Sequence, residues 1–233
     1  MEHRGWIDGI FNQRVIGETE LDWSNESVAQ LHALSSKEMI SHVMLTFSES
    51  GNVLKRFSNE QVAAGITFIC HEGYEPFFRL YDSDVPVTLR QSTIASIGIL
   101  YRDCFAERCT GVVTKGKMNN CLDAVCYMFW DVLSVSIGGF NHNHDTDDDR
   151  KILIDAFLDV LVDILFLPNG TCRESALHGI GHMIMSIALY TTGTFQKQSR
   201  QKLEDAIDRF CQLPDLPDEL RRYAVQAKTG QVQ

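Results

Sequence analysis

Two histidines four residues apart, His178 and His182, carry the spacing in this chain best suited to chemistry. On a helix such residues project from one side, as a metal-binding pair requires. The zinc-protease pattern puts a glutamate directly after the first histidine, and Gly179 stands there. The pair therefore has three readings: a metal site, a contact for a partner, or histidines packed at the edge of a core. The densest neighbouring set of possible ligands is Asn141, His142, His144 and Asp145.

The doublet His144-Asp145 resembles that of the all-helical metal phosphohydrolases, where the pair bridges one or two ions and activates water. That resemblance implies a metal-dependent hydrolase built on His142, His144, Asp145, His178 and His182, and it is the alternative reading of the chain. In those enzymes the doublet lies on a helix, whereas here it follows Gly138-Gly139 and reads as a loop. Asp145, Asp147 and Asp149 alternate like the start of a calcium loop. Arg150 replaces the glycine at the sixth position and Ala156 the glutamate at the twelfth, which excludes an EF-hand. Helix capping accounts for this acidic run.

Asp155, Asp159 and Asp163 recur at every fourth residue of an otherwise apolar segment and must share a face. Like charges at that spacing repel by about 0.2–0.5 kcal/mol per pair, and no lysine is interspersed. The stripe is either a plain solvated face or an acidic docking strip for a basic partner. Glu72, Glu75, Asp123 and Asp131 are isolated carboxylates, and nothing in their spacing brings two together. Trp130, with Phe129 and Tyr127, reads as core or as a binding anchor. Phosphate-cradling loops, dinucleotide fingerprints and nucleophile elbows are missing, so no catalytic residue and no cofactor is expected.

The elements that position these residues are helical throughout. Apolar residues recur at three and four spacings from Ser24 to about Phe47, and a capping-box start at Ser58 opens a helix ending near Cys70. Further helices are expected from Pro86 to about Phe105, Asn119 to about Ser136, Asp147 to Leu167, Thr171 to Tyr190, Ser199 to Cys211 and Pro217 to Lys228. Residues 1–23 lack sustained periodicity, although Trp6, Ile7, Ile10, Phe11, Val15 and Ile16 allow one short amphipathic turn or a strand packed over the first helix, and residues 229–233 should fray. No hairpin signals accumulate, so a sheet is not expected.

The chain also partly repeats itself. Leu89–Leu100 aligns without gaps on Cys172–Met183, with identity at Arg90/Arg173, Ser92/Ser175, Ile97/Ile180 and Gly98/Gly181, and Ile137-Gly138 is a weaker echo. A helix-interior glycine costs about 1 kcal/mol against alanine, so its recurrence implies a neighbouring helix passing close at both places. The pattern Arg-x-x-Ala-x-x-x-Ile-Gly at Arg173–Gly181 resembles the second helix of HEAT and armadillo-type repeats. The windows around Arg173 and Tyr127–Asp131 also resemble a group of uncharacterised bacterial cytosolic proteins. The resemblance implies an all-α, HEAT-like helical-hairpin solenoid with about eight to ten helices, in one domain over residues 1–233, used as a scaffold for gripping partners.

Bulk properties point the same way. A net charge of −10 without any basic run argues against a nucleic-acid backbone binder and more easily accommodates a basic protein partner. The charged start lacks the apolar core of an export signal and no stretch suits a membrane span, so a cytoplasmic location is expected. Seven cysteines without a Cys-x-x-Cys pair read as buried thiols. The resulting expectation is a non-enzymatic module of the immunity or antitoxin type, neutralising a basic toxin or effector. In it Asp155, Asp159 and Asp163 steer the partner, while His178, His182, Asn141, His142, His144, Asp145 and Asp147 give specificity.

Overall fold

The structure, a computed structural model, describes residues 1–12, 15–16, 20–21, 33–70, 76–113, 120–132 and 146–232. It is helical apart from an antiparallel pairing of Val15–Ile16 with Glu20–Leu21. The main helices are α1 (His3–Phe11), α2 (Ser36–Ser48), α3 (Asn59–Cys70), α4 (Val87–Leu100), α5 (Cys121–Val132), α6 (Asp147–Leu165), α7 (Gly170–Tyr190), α8 (Gly193–Cys211) and α9 (Asp218–Lys228).

Local chemistry explains most boundaries. Ser35 and Glu38 close a capping box over α2. Ser58 and Gln61 exchange the equivalent bonds over α3, as the sequence implies. Thr146 caps α6 by accepting from the Asp149 N–H, leaving the three aspartates of the first turn to favour the positive end of the helix. Asn169, rather than Thr171, caps α7. Helix α4 starts at Pro86 and passes through a π turn, Tyr101–Phe105, into Ala106–Arg108, so the helical path reaches slightly past its expected end. Helix α8 begins six residues before the expected Ser199.

The N-terminal segment takes the helical form of its two expected alternatives and extends it. Residues 3–11 form α1, with Trp6, Ile7, Ile10 and Phe11 buried, and the Trp6 indole donates to Thr46 Oγ1 of α2 at 3.1 Å. One face of two and a half turns is too short to display a period against its polar neighbours. The C-terminal end departs from expectation, since Val232 is buried against α7 instead of fraying.

The helices pack in two rows. Contacts run α1 to α3, α5, α7 and α9 in one row and α2 to α4, α6 and α8 in the other, while α1–α2, α6–α7, α7–α8 and α8–α9 join the rows. Their buried side chains form one apolar cluster extending from Trp6 to Val232. All seven cysteines are free, five of them buried. Among the described residues no helix is long and apolar enough to cross a membrane.

This packing corrects the reading of the repeat. The two windows lie on α4 and α7, which belong to different rows, so they are not equivalent positions of one array. Nor do their glycines share a purpose: a Cβ on Gly98 would meet nothing within 4 Å, whereas one on Gly181 would lie 2.5 Å from Val232. What the windows do share is local. Arg90 donates to the Leu80 carbonyl at 3.5 Å and Arg173 to the Leu167 carbonyl at 2.5 Å, each tying its helix to the segment that precedes it. Ile97 and Ile180 are fully buried in both. The Ile137-Gly138 echo lies outside the described residues.

Candidate functional site

Two places concentrate the residues singled out by sequence. The first lies in the row α5–α7–α9. His178 and His182 do share one side of α7, and Asp131, near the end of α5, comes up against both. The His178 Nε2 lies 2.7 Å from Asp131 Oδ2, the His182 Nε2 lies 3.0 Å from Oδ1, and the two Nε2 atoms are 3.1 Å apart. Behind them, the hydroxyls of Tyr223 on α9 and Tyr127 on α5 both face His178 Nδ1, at 2.7 and 3.3 Å, and lie 3.2 Å from each other.

Helix approach makes this meeting possible. Gly179 sits where α7 crosses Trp130, and a Cβ there would lie 2.6 Å from the indole Cγ and 2.7 Å from Leu161. The glycine that breaks the zinc-protease pattern is thus the residue that lets Asp131 reach the histidines. Exposure is graded: the His178 side chain is 6% exposed, Asp131 29% and His182 43%. Burial alone would raise the Asp131 carboxyl, but hydrogen bonds from His178 and His182 outweigh it and hold the group well below the usual carboxylate range. Burial pushes the Tyr127 and Tyr223 hydroxyls up, so both stay protonated. A cleft of about 280 Å³ opens beside the two tyrosines, lined also by Glu174, Glu219, Arg222 and Gln226.

Sequence reading paired the histidines but not Asp131, which lies 47 residues from His178. The available signal was spacing on α5: Tyr127 and Asp131 repeat the i, i+4 separation of His178 and His182, so two helices each carry a polar pair on an otherwise apolar face.

The second place is the outer side of α6. Asp155, Asp159 and Asp163 are exposed, flanked by the exposed apolar side chains of Ile152 and Phe166. Lys202 of α8 reaches Asp159 at 2.7 Å, a countercharge from a neighbouring helix that linear spacing did not reveal. No ion pair to Asp155 or Asp163 is present among the described residues. Partial burial raises both of those carboxyls, with Asp159 pushing them up and Lys202 pulling them down.

Asp147, exposed in the first turn of α6, pairs with Arg150 and borders a cleft that reaches Tyr190 and Phe195. Asn141, His142, His144 and Asp145 lie outside the described residues. Comparison with protein-family models, curated proteins and solved structures returns no match to this chain.

Proposed function

We propose that the protein is a non-enzymatic binding module, a solenoid-like stack of helices that takes up a basic protein partner against the outer side of α6. In its most concrete form it is an immunity or antitoxin-type protein covering a positively charged toxin or effector. The single observation that carries this reading is the exposed line Asp155, Asp159 and Asp163, held on a rigid helix and answered within the fold by Lys202. A cationic surface laid on that line would add countercharge to the single lysine that the fold supplies, and the flanking Ile152 and Phe166 offer apolar contact at each end. Tethered stacking of helices suits the role, because it makes a firm extended surface from units that bury little alone. Asp147 and the half-exposed His182 are the remaining accessible candidates for specificity.

Capture from the native host tests it. Wild-type protein and the Asp155→Asn, Asp159→Asn, Asp163→Asn triple variant are compared as baits, with the fold of both verified by circular dichroism. A basic protein retained by the wild type and lost from the variant is expected. Retention of the same proteins by both baits contradicts the reading.

A second reading, hydrolysis at a bound metal, has one specific observation in its favour: His178 and His182 converge with a carboxylate. It loses its support if the chain takes no metal there.

A further inference from the structure

We infer that Asp131, His178 and His182 form a binding site for a divalent transition metal, zinc foremost, independent of the acidic face of α6. The three side chains each present a donor atom, all within 4.8 Å of one another: His178 Nε2 lies 2.7 Å from Asp131 Oδ2, His182 Nε2 lies 3.0 Å from Asp131 Oδ1, and the two nitrogens are 3.1 Å apart. Ligand atoms held at zinc bond lengths of about 2.0–2.2 Å and tetrahedral angles stand about 3.3–3.5 Å apart. Turning the Asp131 carboxylate so that one oxygen faces both imidazoles, with the ligand atoms spread to those separations, makes the present cluster a coordination shell.

Without an ion the same geometry works as a fork. Each imidazole donates its Nε2–H to one oxygen of Asp131, and a metal enters by replacing those protons. The group behind His178 suits both states. A tyrosine hydroxyl donates to a neutral Nδ1 when Nε2 carries the proton, and accepts from Nδ1–H when Nε2 holds a metal. Tyr223 at 2.7 Å, with Tyr127 at 3.3 Å from the same nitrogen, thus orients the ligand in either tautomer.

The scaffold adds a separate observation. Gly179 brings α7 so close to Trp130 that no side chain fits between them, which fixes Asp131 beside the histidines on two packed helices rather than on loops. Two imidazole nitrogens and one carboxylate select zinc, cobalt or nickel over calcium and magnesium, which prefer all-oxygen shells. Three protein ligands graded from buried His178 to half-exposed His182 leave a fourth position facing solvent, for water or a ligand from outside.

The test uses the full chain without a histidine tag, stripped with chelator and titrated with Zn²⁺ by calorimetry and with Co²⁺ by visible absorption. One ion per chain is expected, with the absorption of tetrahedral cobalt bound by nitrogen and oxygen and a Tm raised by zinc. Asp131→Asn and His182→Ala alter partly exposed positions, and each should weaken Zn²⁺ at least about tenfold, the low end of what loss of a supporting group alone costs. Thermal unfolding of the ion-free variants verifies that they fold. Absence of stoichiometric uptake, equal affinity in wild type and both variants, or thiolate-to-cobalt charge transfer from the cysteines each overturns the assignment.

Discussion

At the scale of single residues, glycine separates what sequence likeness means from what packing requires. Gly98 and Gly181 occupy matching places in the repeated windows, yet only the second is crowded, and the glycine on which the histidine site depends is its neighbour Gly179. Replacing Gly98 by alanine fills open space in a helix, so Gly98→Ala should stabilise the protein by up to about 1 kcal/mol. Gly179→Ala drives a methyl into Trp130 and Leu161 and should cost about 1–3 kcal/mol. Urea unfolding of the two variants checks both signs, and equal effects would contradict the packing described. Asp131 was illegible as a site residue for a related reason. Its partners are set by a helix crossing, and a crossing leaves no mark on local spacing beyond the shared i, i+4 pairs.

Helices were more legible than their arrangement. Caps at Ser58 and in the Thr146–Asp149 turn, the proline before α4 and the apolar periods located most elements, because these signals act within a turn or two. The row to which a helix belongs depends on contacts between distant segments, so the alignment of α4 with α7 suggested an equivalence that the rows do not have. Helix α1 was legible only as one short amphipathic turn or a strand, because its apolar face is so short, and its docking carries a pH dependence of its own. His3 and His42 stack with ring centres 5.4 Å apart, His42 also stacks on Trp6 at 5.2 Å, and burial lowers both imidazoles from their ordinary value. A lowered folded-state pKa means that the unfolded chain takes up protons first on acidification. Stability from this contact is present above the ordinary histidine value of about 6.5 and is lost as pH falls through the folded-state values below it. Amide exchange in α1 should therefore accelerate between about pH 7 and about pH 5, and His42→Phe should flatten the change. Exchange that is insensitive to pH after correction for the intrinsic rate would contradict this contact.

Over the whole molecule, acidic side chains outnumber basic ones 31 to 21, a balance that the proposed basic partner would complement. That much the composition made plain; where the acidic charge is focused needed the fold, which turns three aspartates outward and lends them one lysine. Electrostatic docking on α6 must weaken as ions screen it, the Debye length falling from about 10 Å at about 0.1 M salt to about 3 Å at about 1 M. It must also weaken on acidification, since burial raises the carboxyls of Asp155 and Asp163 from their ordinary value, so that they lose charge earlier than a free aspartate as pH falls. The most direct measurement is the Kd for the captured basic partner as a function of salt and pH, for wild type and for the Asp155, Asp159, Asp163 triple variant. The account predicts a Kd that rises steeply with salt and again as pH falls toward the carboxylate range, with both dependences shallower in the variant; a Kd indifferent to salt, or one with the same salt and pH slopes in both proteins, would contradict it.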